Sequence, residues 1–415
     1  MAHPHYDFCV IGAGIIGLSI ALRLAETGQS VILIDKKGMA EETSRGNAGA
    51  LAFADIEPLA SPGMILKAPK WLFDPLGPLS IPPAYAPKIL PWMLRFFRAS
   101  LPDRYKASTI AQAALMNLAR TEAEPLFEDA GIADLLRHDG ALYLYKGEKA
   151  FSAARQIWDL RAAHGIDFEH VSGNRLADLQ PGLGASFTHA TFVPQWLTVS
   201  DPYDVAIGIG KAAIAKGATL ETAEVKSVAQ TADGVSVALA DGRTINTGQL
   251  VIAAGAWSHK LAAQLGHAIP LETERGYNTT FPKGAFDLKR QLVIPGDGFV
   301  ITPLDTGLRI GGAVELGGLD RAPDYRRSEI MVEKTKAILP GLRTENGRQW
   351  MGFRPSLPDT IPVIGRSKKA NRVIMAFGHG HLGLTQSAAT ARLVRDIALD
   401  QPLPIDIAPY RAERF

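Results

Sequence analysis

The run DFCVIGAGIIGLSIALRLAETGQSVILIDK, residues 7–36, constrains this chain more than any other stretch. Residues 8–12 are almost continuously apolar and read as a buried parallel strand; Gly12, Gly14 and Gly17 then lead into residues 18–22, which have helical spacing. Gly28 ends that helix, and a second apolar run, residues 31–34, closes on Asp35. Strand, Gly-x-Gly-x-x-Gly, helix, strand and acid thus arrive in the order of a dinucleotide-binding unit within about thirty residues. The glycines let the backbone turn and approach a pyrophosphate, the helix N-terminus offers N–H groups and a positive dipole end, and Asp35 can accept from ribose hydroxyls. A glycine-rich turn with no ligand would not need this full context. Asp35 also argues against a ribose phosphate. Lys36 and Lys37 read first as a solvated strand end, with Lys36 kept beside Asp35, and Ile15 and Ile16 beside the glycines, as candidate cofactor contacts.

A length of 415 residues exceeds one ordinary core, so two domains are expected. The 47% hydrophobic and 21% charged content is that of a globular protein, and a net charge of +2 gives no electrostatic reason to expect nucleic acid. The single cysteine, Cys9, lies in the first strand and points to a reducing, cytoplasmic compartment. The N-terminus lacks a basic leader with a cleavage site, and no run reaches the roughly eighteen apolar residues of a membrane span.

Nine prolines between 58 and 91 predict that residues 58–103 form short ordered pieces and not a long helix. Residues 104–136 and 148–165 read as helices with a strand at 140–146 between them; 201–220 reads as a helix started by Asp201 and followed by a strand. Short strands with Asp-Gly turns fill 223–257, further strands fill 271–316, and 371–400 is strand, glycine turn and helix. Nucleotide-fold elements therefore recur at both ends and in the middle. The expected class is α/β: a discontinuous Rossmann-like cofactor domain (1–57, 196–270 and 346–415) and an α+β substrate domain (58–195 and 271–345) with a large mixed or antiparallel sheet.

The opening fingerprint, TSRGNAGAL (43–51), VIAAGAW (251–257), RGYNTTF (275–281), GFRPSLPDTIPVIG (352–365) and GHGHLGLTQSAATA (378–391) together resemble the D-amino-acid oxidase superfamily of flavoproteins, most closely its D-amino-acid dehydrogenase branch. The likeness runs from about residue 6 to residue 400 and implies FAD. Non-covalent binding is expected: Cys9 is badly placed for a covalent link, and a histidine link is the alternative. The resemblance also implies that Thr43, Ser44, Asn47, Ala48, Gly49 and Leu51 line the ring and pyrophosphate. Val225 matches the position whose backbone meets adenine, and Ala254, Gly255 and Trp257 belong to the same cofactor surface. A long dinucleotide needs a second surface for its ring, and Gly380, His381, Leu382, Gly383, Leu384 and Thr385, at a glycine turn before a helix, can supply it.

By the same resemblance Arg354, extended before a proline, binds the substrate carboxylate with a planar fork that lysine lacks. Tyr277 is either a second carboxylate contact or a core tyrosine. His379 and His381 flank the ring segment; His379 is the catalytic candidate, although a satisfied loop histidine is the commoner fate. Arg275 stands where the branch has lysine, which leaves its role open. The expected chemistry is oxidative deamination, the Cα hydrogen leaving as hydride to flavin N5, with no strong protein base and no metal. The partners expected are a small amino acid and a quinone or other respiratory acceptor, but no nucleic acid. Trp71, Leu72, Phe73, Trp92, Met93, Leu94, Phe96 and Phe97, set among Lys67, Lys70, Lys88, Arg95 and Arg98, form either a membrane contact on the cytoplasmic face or a lid. The alternatives are a cyclic or secondary amine acid (D-proline, D-hydroxyproline, glycine or sarcosine) as substrate, a tRNA-modifying flavoprotein, and a non-catalytic electron-transfer subunit.

Overall fold

Tyr6–Ile11 forms a strand whose Phe8 and Val10 enter one apolar cluster while Cys9 and Ile11 enter another on the opposite face. Burial on both faces explains the unbroken apolar run. The computed structural model describes residues 6–63 and 79–415; Lys67, Lys70, Trp71, Leu72 and Phe73 lie outside them. Tyr6–Ile11 pairs in parallel with Val31–Asp35 and with Thr244–Ile252, and the eight-stranded sheet continues through Thr219–Thr222 on one side and Val373–Phe377 on the other. Val225–Gln230 and Val235–Leu239 form an antiparallel meander onto Thr244–Ile252, so the Asp-Gly turns fall where the sequence puts them. Helices Ile15–Ala25, Pro202–Ala215 and Gly383–Ala398 contribute Leu18, Val205 and Leu393 to the cluster on one side of this sheet. Burial raises the Cys9 thiol well above its ordinary pKa, which leaves it inert.

The second sheet has nine strands, and along its main path all the pairings are antiparallel except the parallel pair Gln291–Ile294 with Ala141–Lys146. Helix Arg326–Ile338 brings Met331 and Ile338 onto Leu292, Ile301 and Ile310. Strand Arg348–Ser356 is hydrogen-bonded along Glu272–Phe281 and so belongs to this second sheet, although it lies beyond residue 346.

Ala86–Ala99 is a 14-residue helix that runs through Pro91, contrary to the expectation of short pieces. An interior proline costs about 3 kcal/mol, whereas burying a large apolar side chain contributes roughly 1.5–3 kcal/mol. Here Ile89 and Trp92 are buried against Leu316, and Trp92 stacks on Phe96 at 5.2 Å, which outweighs the proline. The next helix, expected over 104–136, spans Pro102–Asp129.

Candidate active site

Gly12 adopts a positive φ of 107°, and a Cβ there would meet the Ala253 carbonyl oxygen at 2.4 Å. A Cβ on Gly17 would stand 1.8 Å from the Gly12 oxygen, so the third glycine is what lets the helix approach the strand. Gly14 is the N-cap of Ile15–Ala25, and the Ser44 hydroxyl accepts from the Ile15 N–H at 2.9 Å. Asp35 accepts from three backbone N–H groups: Ala13 at 2.9 Å, Lys37 at 2.8 Å and Gly38 at 3.2 Å. A carboxylate has about four lone-pair sites, so one remains for a ribose hydroxyl. The Lys36 ammonium lies 3.7 Å from the centroid of the Trp257 ring, and Lys37 pairs with Glu42 at 2.6 Å. Val225, Ala254, Gly255 and Trp257 line the cavity together with Asp35.

Thr43–Gly46 is a single 3₁₀ turn clamped to the second sheet. The Thr43 hydroxyl donates to the Phe353 carbonyl at 2.7 Å, and Asn278 donates to the Gly46 carbonyl at 2.9 Å. A side chain on Gly46 would collide with Trp350 at 2.2 Å. The Asn47 side chain accepts from Gly49 N–H at 2.8 Å, while its carbonyl accepts from Arg309. Ala48 lines the cavity, and Leu51 is buried beneath it. The Thr385 hydroxyl accepts from the Ala52 N–H at 3.0 Å, tying the C-terminal helix to this segment.

At the far end, Arg354 stands opposite Glu274 in the strand register and its guanidinium covers Gly276, where a Cβ would be 2.4 Å from Cζ. It donates to the carbonyls of Ala313 at 3.0 Å and Gly312 at 3.3 Å. Arg354 opens onto the cavity but lies far from the outer surface; that depth lowers its pKa, and Glu274 opposes the shift. Gly380 N–H donates to the Pro355 carbonyl at 2.8 Å, which fastens the glycine turn to the Arg-Pro strand. No side chain caps the helix that begins at Gly383, so its N-terminal dipole faces the turn and the cavity that Leu382, Gly383 and Leu384 line.

The two histidines differ. His379 is buried, its Nε2 lies 3.0 Å from the Thr390 hydroxyl, and burial pushes its pKa down to about 3. That is a satisfied, neutral histidine, although it too borders the cavity. His381 opens into the cavity; depth, then the Arg354 cation, push it down to about 4. Tyr277 packs into the cluster behind the second sheet, its hydroxyl donating to Glu315 at 2.5 Å and accepting from Asp324 N–H at 3.1 Å. Of the two roles weighed for it, the core role is the one its contacts match. Arg275 is fully buried, 3.3 Å from Glu315, and is structural.

Sequence reasoning missed Glu274, Asn278, Arg309 and Trp350, because their places depend on strand register. It also missed a group in which Arg161 meets Glu57 at 2.9 Å and Asp55 at 3.2 Å, with the Tyr143 hydroxyl donating to Asp55 at 2.6 Å. Burial raises both carboxyls despite Arg161. An acidic pair in an apolar stretch, FADIEP at 53–58, was the available signal.

These groups border one continuous cavity of about 1010 Å³, at the upper end of the range for cofactor sites. It runs from Gly12 past Thr43–Gly46 to Arg354 and His381. A cradle at Gly12–Gly17 that any Cβ would fill, a spare acceptor on Asp35, and an uncapped helix end at the far side fit a long dinucleotide whose ring carries negative charge when reduced. Fold and site together define a flavoprotein oxidoreductase. The family described as FAD dependent oxidoreductase matches residues 7–397, and the chain belongs to it. A D-amino-acid oxidase from Bradyrhizobium diazoefficiens is 31% identical over 413 residues, covering 98% of both chains. A D-amino acid dehydrogenase from Sinorhizobium medicae is 29% identical over 414 residues, covering 98% of this chain and 99% of its own. The solved glycine oxidase from Geobacillus kaustophilus superposes over 100% of both chains with a TM-score of 0.77 at 22% identity. The cofactor is FAD.

Proposed function

We propose that the chain oxidises free D-amino acids to imino acids, which hydrolyse to 2-oxo acids, and hands the electrons to a quinone or another respiratory acceptor. The observation that carries this reading is Arg354: a deep cation on the cavity whose partners are two backbone carbonyls, with N–H groups to spare for a carboxylate. Near-full-length likeness to a D-amino-acid oxidase and a D-amino acid dehydrogenase supports it. FAD, when bound, supplies the two-electron acceptor. The residues of this chain do the positioning: Arg354 orients the acid, Gly276 makes room for its guanidinium, and Gly352 makes room for the Trp350 ring. Holding the acid in one orientation is where a large part of such a rate enhancement originates. Residues 1–57, 196–270 and 346–415 would serve the cofactor and 58–195 with 271–345 the substrate, Arg348–Ser356 joining the two. Anaerobic mixing of the yellow protein with each enantiomer of several amino acids tests the reading. Bleaching by D-enantiomers is the expected result; cyclic or N-substituted acids bleaching faster would favour the secondary-amine substrates, and no bleaching by any would end both.

The helix Ala86–Ala99 supports the respiratory acceptor in this proposal. Its inner face packs on the second sheet, and its outer face exposes Leu90 (54%), Leu94 (61%) and Phe97 (47%) with Lys88 and Arg95 among them. No acidic residue occurs from 79 to 102, and none of the residues of this helix lines the cavity. An apolar stripe within a cationic surface complements an anionic lipid surface, where a quinone would be found. No helix among the described residues is long and apolar enough to cross a membrane.

A further inference from the structure

The reading above leaves Glu274 unused. Its residue is 4% exposed, it lines the cavity, and its Oε2 is buried without a hydrogen-bond partner. A buried acceptor left unpaired is costly, and more so when charged, so an unpaired carboxylate on a cavity wall asks for a cationic partner. Arg354 is the obvious counter-ion, since the two residues are directly opposite in the strand register and leave the same face of the sheet. Yet the guanidinium donates to Ala313 and Gly312, and it acts on Glu274 only through space. Elsewhere in the protein a buried cation meets its carboxylates by hydrogen bonds, as in Arg161 with Glu57 at 2.9 Å and Asp55 at 3.2 Å. Here an acid and a cation stand side by side on the cavity wall with no hydrogen bond between them.

We propose that Glu274 holds the amino group of the substrate whose carboxylate Arg354 holds, an inference that rests on the amino-acid reading above. An α-amino acid carries its two opposite charges on neighbouring carbons, and cross-strand partners stand about 5 Å apart at Cβ. Closely spaced charges on the ligand thus meet closely spaced complementary charges on the sheet. A side-chain amine would lie several bonds further away and would need an acid further along the cavity. His381, near both groups and neutral, adds no competing charge. With carboxylate and amine both fixed, only the hydrogen and the side chain remain to exchange places at the alpha carbon, so the pair also selects one hand of substrate.

The test uses the FAD-loaded protein and two ligands: the best D-amino acid substrate, and propionate, which keeps the carboxylate and lacks the amine. Affinity for propionate is read from the flavin spectrum, affinity for the amino acid from KM. Glu274→Gln should raise KM for the amino acid about ten- to a hundredfold and leave the propionate Kd unchanged or lower, because a like charge has been removed. Glu274→Asp should restore part of the amino acid affinity; should the Gln variant lose FAD, the Asp variant is read on the same two ligands and must lose more affinity for the amino acid than for propionate. Equal losses for both ligands, or a KM within twofold of the parent, overturn the inference while the amino-acid reading stands. A wild-type protein that oxidises no amino acid sinks both.

Discussion

Replacing Arg354 separates binding from folding. Each hydrogen bond to a charged group is worth about 1.5–3 kcal/mol, and truncating one partner of a buried charge pair costs about 2–5 kcal/mol. Arg354→Lys keeps a cation but loses the fork that lies over Gly276, so carboxylate affinity should fall about ten- to a hundredfold. Arg354→Met removes the charge too, and the loss should reach roughly thirty- to several-thousandfold. Stability should move the other way. In the free protein this guanidinium meets two carbonyls and no carboxylate contact, and its depth disfavours the charge. The Met variant without ligand should therefore unfold no earlier than the parent, and propionate should raise the melting temperature of the parent only. Spectral titration and thermal unfolding on the same samples check both halves. A Met variant that binds propionate as tightly as the parent would remove Arg354 from the site, and one that unfolds much earlier would make it a structural tie.

Three further outcomes are expected. Gly17→Ala places a Cβ 1.8 Å from the Gly12 oxygen, so the protein should purify without yellow colour while its circular dichroism stays near that of the parent; retained FAD would mean the helix can shift at little cost. Leu94→Glu should cut binding to vesicles containing phosphatidylglycerol, measured by flotation, while leaving dye-linked activity in solution intact; equal flotation of parent and variant would reject the lipid surface. His379 has a folded pKa depressed to about 3, so the unfolded chain takes up a proton first as pH falls. Stability from this residue is therefore complete above about pH 6.5 and is lost as pH falls toward 3, at up to about 1.4 kcal/mol per pH unit. Urea midpoints of His379→Gln should decline less steeply than those of the parent over that window, and parallel curves would contradict the assignment.

The cofactor end was legible because its signals are local. Apolar strand, three glycines, helix and acid sit within thirty residues, and each glycine has a separate steric reason that a sequence pattern can express. The substrate end was legible only in part. The Arg-Pro context marks Arg354, but what lies beside it depends on which strand pairs with Arg348–Ser356 and in what register. Given the register, alternation places Glu274, Gly276 and Asn278 on the cavity face and turns the Arg275 side chain and the Tyr277 hydroxyl behind the sheet, where both meet Glu315. Without it, the sequence alone does not say which side chain of this strand faces the cavity. The helix through Pro91 was misread for a different reason: proline counts report local cost, and the burial of Ile89 and Trp92 on a distant strand is not local.

The distribution of buried charge argues for the site independently of any motif. Arg23 meets Glu26 at 2.8 Å and Asp129, Arg161 meets two carboxylates, and Arg275 lies 3.3 Å from Glu315; each is paired with a carboxylate. Arg309 and Arg354 are not. Arg309 donates to the Thr280 hydroxyl at 2.9 Å and to the Asn47 carbonyl, Arg354 to two carbonyls, and burial lowers the pKa of both. Both line the same cavity, one beside the turn at Thr43–Gly46 and the other at its far end. A fold gains little from leaving two deep cations without a contacting carboxylate, since desolvation is then offset only through space, by Glu274 for Arg354 and by Asp201 for Arg309. It does gain if the counter-ions arrive with ligands: an anionic dinucleotide along one part of the cavity and an acid at the other. Saturating propionate should then protect the FAD-loaded protein against unfolding through Arg354, while substitution of Arg309 should weaken FAD retention and leave the propionate-induced shift intact.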